Sequence, residues 1–185
     1  FTTNQNEVVA LGAGQDQIIY NNGVTFLTKV GEPIAQFYNY EIVGVYRNEA
    51  DIENDPITAL PGSEVGDYIV LDANADGKID ADDRVSQGDY TPDFTYGFGI
   101  NFEYSGFDLG LQFFGIEGRK VSDNMVNRVE SGEGFFVPSQ YYYDNYFSDE
   151  NPDGFFRRPD FSSFSSAGRL TRSSNLAVLS GDYFR

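Results

Sequence analysis

The sequence predicts an all-β chain that forms part of a large transmembrane antiparallel β-barrel with long extracellular loops. Two observations predict this fold class. Residues 96–113 alternate strictly between large apolar and small or polar side chains across a two-residue turn, as paired barrel strands do. Long irregular stretches flank this hairpin over residues 12–94 and 116–175, and membrane barrels have short turns on one side and long loops on the other.

The hairpin is predicted from the turn Ser105-Gly106 and its two alternating arms. A two-residue turn places four apolar pairs on one face, Tyr104 with Phe107, Phe102 with Leu109, Ile100 with Leu111 and Phe98 with Phe113. The opposite face carries Gly97, Gly99, Asn101, Glu103, Asp108, Gly110 and Gln112.

Two environments produce this alternation. In a soluble β-sandwich the apolar face lies in the core, and in a membrane barrel it faces lipid. Aromatic rings at both ends of the apolar face, Tyr96 and Phe98 at one and Tyr104 and Phe107 at the other, resemble the girdles of a barrel. The aromatic positions therefore favour the membrane.

In chain order the pattern divides into five segments. We predict a strand over 1–11, an extracellular excursion over 12–94, a transmembrane hairpin over 95–115, a long extracellular loop over 116–175 and the start of the next strand over 176–185. Inside the excursion, strands are predicted over 24–29, 34–46 and 67–71, with a loop over 48–66. Both ends resemble cuts within extended segments, so we expect an internal fragment of a larger protein.

Residues 72–83 have the spacing of a calcium-binding loop. Oxygen-bearing side chains recur at positions 1, 3, 5, 9 and 12, and Gly77 at position 6 permits the sharp turn. Ca²⁺ is a hard cation that takes six to eight oxygen ligands. The predicted ligands are the side chains of Asp72, Asn74, Asp76, Asp80 and Asp83 and the main-chain carbonyl of Lys78.

The alternative for this segment is a surface turn without an ion, because Asp, Asn and Gly favour turns by themselves. Four uncompensated carboxylates in one turn would repel one another, which favours the metal. A strand precedes the loop and only Ala81–Val85 can form a helical turn after it, so a structural site is expected instead of a paired-helix sensor. Asp83 stands at position 12, where calcium loops usually carry a Glu that binds through two oxygens. Because Asp is shorter, we expect modest affinity for calcium.

Charge and composition exclude several functions. The formal charge of −17 argues against nucleic acid as a partner. The chain has no Cys and no His, which excludes a disulfide, a thiol nucleophile, a His-based triad and a typical zinc site. No pair of acids has a spacing that supports catalysis, and Glu103 opposite Asp108 is interpreted as lining a lumen. We therefore expect no enzymatic activity.

The second long stretch is rich in aromatic residues. Residues 141–147 and 155–159 contain Tyr, Phe and two Arg, and such clusters either stack on a ligand or pack loops together. Packing is the preferred interpretation because nothing in the stretch selects a ligand. Arg157 and Arg158 are expected to pair with nearby acids.

Short motifs follow one another in a specific order along almost the whole chain. The first set is Gly31-Glu-Pro33, Gly44-Val-Tyr46, Gly66-Asp67, the loop 72–83, Gly88, Pro92-Asp-Phe-Thr-Tyr-Gly97 and Phe107-Asp-Leu109. The second is Tyr142-Tyr-Asp-Asn-Tyr146, Glu150-Asn-Pro152, Arg158-Pro159 and Ser173-Ser-Asn175 through Gly181-Asp-Tyr-Phe-Arg185. This order resembles the C-terminal part of SusC/RagA-family TonB-linked outer-membrane proteins.

The resemblance implies a plugged, 22-stranded barrel in the Gram-negative outer membrane, in contact with its lipid. It implies import of glycans or peptides with a SusD-like surface lipoprotein, driven by TonB through segments outside these 185 residues. Phe147 and Leu176 stand where family members often carry Trp, so Trp-specific stacking is not expected. The rival function is a secreted, calcium-stabilised β-sandwich that binds carbohydrate or mediates adhesion.

Overall fold

A computed structural model describes residues 1–22, 24–55, 62–123, 137–159 and 175–184. Within these ranges twelve strands form four sheets beside two short α-helices. The strands are β1 (Thr2–Thr3), β2 (Gln17–Asn21), β3 (Thr25–Lys29), β4 (Gln36–Tyr40), β5 (Ile42–Val45), β6 (Tyr68–Val70), β7 (Arg84–Asp89), β8 (Phe94–Tyr104), β9 (Phe107–Glu117), β10 (Lys120–Ser122), β11 (Val178–Ser180) and β12 (Tyr183–Phe184). The helices are α1 (Glu49–Glu53) and α2 (Gln140–Asn145).

The longest strands, β8 and β9, form the predicted hairpin. They pair antiparallel from Tyr104 with Phe107 to Phe94 with Glu117, and all four predicted apolar pairs are present. Ser105 and Gly106 have φ values of 50° and 85°, the positive values that a tight two-residue hairpin turn requires. We refer to the sheet β1-β8-β9-β12 as the wall.

The strand predicted over residues 1–11 is much shorter in the structure. Only Thr2–Thr3 pairs with the wall, opposite Thr95 and Phe94. The chain then leaves this sheet, because the Val8 N–H donates to Glu32 O (3.0 Å) and Val8 O accepts from the Gly31 N–H (2.9 Å). Asn4 still donates its N–H to Asp93 O (3.0 Å), and Asn6 and Val8 then bond to the β3–β4 connection, so strand β1 ends at Thr3.

The excursion over residues 12–94 is a folded lobe with two sheets, ordered β2-β3-β4-β7 and β5-β6. The single strand predicted over 34–46 is wrong, because Glu41 separates β4 and β5, which belong to different sheets. Strands β2 and β7 and helix α1 lie where irregular chain was expected. Asn48 caps α1, accepting from the Asp51 N–H (3.0 Å), inside a stretch that reads as loop.

The second long segment also contributes regular structure. Strand β10 pairs with β11, and β12 then joins the wall with Tyr183 opposite Ile116. Helix α2 begins after Ser139, whose hydroxyl accepts from the Tyr142 N–H (3.0 Å). Residues 56–61, 124–136 and 160–174 of the predicted loops lie outside the described residues. No helix in the described ranges is long and apolar enough to cross a membrane.

The main apolar cluster joins distant parts of the chain. Ile42 and Val45 of β5 and Tyr68 of β6 pack with Phe147, which follows α2. Val65 and Leu176 cover the edge of this cluster. The excursion and the aromatic stretch therefore share one core.

Candidate functional site

The predicted calcium loop connects two sheets of the excursion. It follows β6 and ends in a single 3₁₀ turn, Ala81–Asp83, directly before β7. Gly77 has a φ of 89°, the left-handed conformation that the sharp turn was predicted to need. Asp83 is completely buried, whereas Asn74, Asp76 and Asp80 are exposed.

The acidic side chains of the loop hold its backbone. Asp83 accepts from the N–H groups of Ala73 (3.0 Å) and Asp80 (2.7 Å), and so clamps the two ends of the loop together. Asp72 accepts from the Gly77 N–H (3.0 Å) in the middle of the loop. Hydrogen bonds from backbone N–H groups to a carboxylate are charge-assisted and stronger than neutral ones.

The remaining side chains make shorter-range turns of the same kind. Asn74 accepts from the Asp76 N–H (2.9 Å), Asp76 accepts from the Lys78 N–H (3.0 Å), and Asp80 accepts from the Asp82 N–H (2.9 Å). In each case a side-chain oxygen bonds to the backbone N–H two residues further on, and these bonds fix the shape of the loop.

The loop fits calcium in its donor chemistry. The six predicted ligands are all oxygens, and a carboxylate oxygen that accepts one N–H keeps a second lone pair. Among the described residues, however, no three acidic side chains lie close enough together to hold one ion. The structure therefore shows how the loop is built, and metal binding stays a prediction.

The wall exposes its apolar face. Ile100 is 53% exposed and Leu109 is 43% exposed, and on the same face Phe98 stacks on Phe113 with ring centroids 4.5 Å apart. A soluble sandwich would bury these side chains in its core. The opposite face is exposed as well, so it is the apolar character of one face that fits a strand pair whose solvent is lipid.

The other face of the wall is small and polar. Gly99, Asn101, Gly110 and Gln112 line a shallow cavity of about 440 Å³, together with Leu111 from the apolar side of the register. Glu103 and Asp108 lie opposite each other near the turn, and their place in a lumen stays a prediction. An apolar face and a polar face on alternate residues form the wall of a membrane barrel.

The aromatic stretch packs against the excursion. Tyr142, Phe147 and Phe156 are 1–5% exposed, whereas Tyr141 and Tyr143 remain largely exposed. The Tyr142 hydroxyl donates to Arg157 O (2.8 Å), and burial raises the pKa of this hydroxyl. The inward residues thus support packing of the loops, the preferred interpretation.

Both arginines pair with acids, as expected. Arg157 is buried, and its Nη2 lies 3.4 Å from Oδ1 of Asp67. Arg158 is half exposed and lies 3.8 Å from Glu64. The Arg158 N–H also donates to Gly66 O (3.0 Å), so this stretch is fastened to the segment before β6 by backbone and side chain together.

Asn175 is a structural residue that sequence reasoning did not single out. Its Oδ1 accepts from the Ile42 N–H (3.0 Å) and its Nδ2 donates to Ile42 O (3.3 Å), across 133 residues. A side-chain amide presents the same donor and acceptor as a peptide group. Its place in the motif Ser173-Ser-Asn175 was the available signal, although Ser173 and Ser174 lie outside the described residues.

These features define the class of the protein, a segment of a membrane β-barrel with a large folded loop. No protein-family model matches the chain. The chain is 32% identical over 138 residues to TonB-dependent receptor P3 of Formosa agariphila, a match that covers 71% of this chain and 14% of the receptor.

Solved structures agree on the fold. The structure of the RagAB peptide transporter matches 99% of this chain and 19% of that chain, with a TM-score of 0.67 and 18% identity. The match to the RagAB peptide importer in the closed-closed state covers 97% of this chain and 18% of that chain, with a TM-score of 0.65 and 17% identity. The chain therefore belongs to the TonB-dependent receptors, the wider family that the resemblance implied, and it shares the fold of the RagAB structures. It spans 14% of the length of the curated relative.

Proposed function

We propose that this chain is part of an outer-membrane importer for peptides or glycans. The observation that carries the proposal is the two-faced wall, with large apolar side chains on one face and small polar side chains on the other. The similar proteins are named as a TonB-dependent receptor and as peptide importers, which supports import and favours peptides.

The proposed mechanism follows the resemblance. Substrate binds between the outer loops of the barrel and a SusD-like surface lipoprotein, and TonB-driven rearrangement of a plug admits it to the periplasm. The folded lobe over residues 12–94 projects to the extracellular side in this proposal. The role of the lobe is mechanical, since it offers a surface of fixed shape to the lipoprotein and the substrate. We propose no enzymatic step.

Uptake by intact cells tests this function. Cells with the full-length receptor are expected to accumulate a labelled oligopeptide or oligosaccharide, and deletion of the receptor or of TonB should abolish the accumulation. Omitting the lipoprotein should reduce it. Uptake that survives loss of the receptor would contradict the proposal.

We further propose that residues 72–83 bind a structural Ca²⁺. The side chains of Asp72, Asn74, Asp76, Asp80 and Asp83 and the carbonyl of Lys78 would hold it. Extracellular calcium is plentiful enough for a site of modest affinity. An ion would offset the repulsion among carboxylates and hold the β6–β7 connection still.

Chelation tests the ion separately from import. EGTA is expected to increase protease cleavage within residues 72–83 of the full-length receptor, and added Ca²⁺ should restore protection. Asp76→Asn should reduce calcium affinity, because it removes the negative charge of one predicted ligand. The loop shape should survive, because Asp76 is exposed and its bond to the Lys78 N–H needs only one oxygen. Asp149→Asn, which changes an exposed acid outside the loop, is the matched control. Unchanged cleavage after chelation would show that the loop needs no ion.

A further inference from the structure

Strand β2 leaves one edge of the excursion open. It lies at the end of the sheet β2-β3-β4-β7, and no strand in the described ranges pairs with its outer side. All five residues of β2 are exposed, including Ile18 (44%), Ile19 (48%) and Tyr20 (59%). An open, apolar edge strand that contains no charged residue or proline to block pairing is a template for another strand.

The hydrogen-bond register shows which backbone groups face outward. Asp16 O accepts from the Val30 N–H (3.0 Å), one step before β2, so even-numbered residues of β2 bond to β3. Hydrogen-bonded and non-hydrogen-bonded pairs alternate along antiparallel strands. The backbone N–H and C=O groups of Gln17 and Ile19 therefore point to the open edge.

An apolar groove lies beside this edge. It has a volume of about 330 Å³ and is lined chiefly by Ile18, Tyr20, Phe26, Ile34 and Tyr90. Its lining carries no charged side chain. Ile18 and Tyr20 share this face with their β3 partners, because cross-strand pairs lie on one side of a sheet.

The size of this feature indicates its occupant. A stable protein partner buries about 800 Å² on each side. A five-residue edge and a groove for one or two side chains offer much less, and they suit a short extended peptide. Net charge also favours a cationic peptide, since Asp16 directly precedes β2 and residues 12–94 together contain sixteen acids and only four basic residues. A segment of this net charge attracts cations.

We propose that β2 and its groove bind short, positively charged, extended peptides by strand addition. The peptide backbone pairs with Gln17 and Ile19, and every second side chain enters the groove. The inference rests on the proposed import of peptides, for which it supplies a first contact on the excursion. Apolar residues alternating with Lys or Arg fit both the apolar groove and the net negative charge of the excursion.

Binding of designed peptides to the full-length receptor in detergent tests the site. The probe is a fluorescent nonapeptide of alternating Lys and Val, compared with its Glu/Val counterpart and with a copy N-methylated on alternate amides. The Lys/Val probe is expected to bind at least tenfold more tightly than either. Ile19→Pro removes an outward N–H at an edge position where proline is tolerated, and should weaken the Lys/Val probe at least fivefold.

Two comparisons distinguish the loss of peptide pairing with β2 from general disruption of the structure by proline. Val9→Pro changes an exposed residue outside β2 and should leave probe affinity within twofold. N-methylation should cost affinity in the wild type and little more in Ile19→Pro, because both remove the same pairing. Equal affinity of wild type and Ile19→Pro, with uptake of peptides intact, would overturn this site and leave the proposed import standing. Absence of peptide uptake by cells with the wild-type receptor would instead refute the import of peptides on which this site rests.

Hydrogen exchange at the Ile19 amide identifies other occupants. The amide should exchange rapidly in the receptor alone and slow down when the Lys/Val probe is added. Slow exchange without peptide would show that the receptor's own chain covers the edge. Slow exchange only after addition of the surface lipoprotein would assign the edge to that partner. Either result would overturn the proposal.

Discussion

The hairpin β8–β9 and the excursion over residues 12–94 obtain their structure in different ways. In the hairpin each residue pairs with one that is close in sequence, and the turn Ser105-Gly106 sets the register of all pairs. In the excursion the core needs Phe147 from beyond the wall, and β5 is bonded by Asn175, 133 residues from Ile42. The hairpin is held by contacts between residues close in sequence, and the excursion is held by contacts between distant segments.

The difference follows from the solvent of each region. A membrane strand satisfies its backbone by pairing and keeps its apolar side chains outward. A lobe in water must bury apolar surface, and here the short strands β5 and β6 obtain cover from Phe147. The comparison predicts that the lobe depends on single long-range contacts and that the wall depends on which face a residue occupies.

The largest effect is expected at Arg157. Arg157→Ala should destabilise the lobe by about 3–5 kcal/mol, because it leaves Asp67 partly buried without its partner. The matched control is Arg158→Ala, whose exposed pair with Glu64 should contribute less than about 1 kcal/mol. Urea unfolding, monitored by proteolysis of the lobe, measures both. Equal effects would contradict the importance of the buried pair.

The wall is tested next. Ile100→Lys places a charge on the lipid-facing side and should cost about 2–4 kcal/mol if the position lies near the bilayer midplane. Gln112→Lys carries the same charge on the opposite face and should be nearly neutral. Refolding of the full-length barrel into lipid vesicles against urea gives both values. A larger cost for Gln112→Lys would reverse the assignment of the faces.

Asn175 tests the longest link in the lobe. Asn175→Ala should cost about 2 kcal/mol, since it removes two hydrogen bonds and leaves the backbone of Ile42 without them. Asn175→Asp keeps the acceptor and loses the donor, so an intermediate loss is expected. Hydrogen exchange at the Ile42 amide reports the change directly. Unchanged exchange in Asn175→Ala would show that other contacts hold β5.

The smallest effect is expected at Tyr142. Tyr142→Phe removes the hydrogen bond to Arg157 O and should cost about 1 kcal/mol at neutral pH. Burial raises the pKa of Tyr142 in the folded lobe, so the folded state keeps this proton more tightly than the unfolded chain does. Stability from this group is complete below about pH 10, the ordinary Tyr value, and is lost as pH rises further.

The phenylalanine variant should therefore lose less stability than the wild type between neutral and strongly alkaline pH. Tyr143→Phe is the control, because Tyr143 is 65% exposed. Unfolding midpoints of the three proteins at several alkaline pH values provide the measurement. Identical pH dependence in all three would show that the buried hydroxyl is not the titrating group.

The sequence was informative where structure is local. Strict alternation and a two-residue turn predicted the pairs of β8 and β9, and Gly77 was correctly assigned to the sharp turn of residues 72–83. The strand expected over 1–11 and the single strand over 34–46 failed because extended propensity does not say which sheet a segment joins. Strand β2 was missed because a Gly, Gln and Asn-rich context outweighed Ile18 and Ile19.

The candidate site divides in the same manner. The oxygen donors from Asp72 to Asp83 could be identified from spacing, but the clamp that Asp83 forms with Ala73 and Asp80 could not. The open edge of β2 likewise exists only because of the order of strands in its sheet.

The sequence by itself determined the two faces of the wall, the turn that joins its strands and the oxygen-rich spacing of residues 72–83, because these depend on residue type and short-range repeat. Only the tertiary structure decided that Phe147 enters the lobe core, that Arg157 pairs with Asp67 and that Asn175 bonds to Ile42. Such contacts join residues that no local period relates, and burial selects them after the strands have come together.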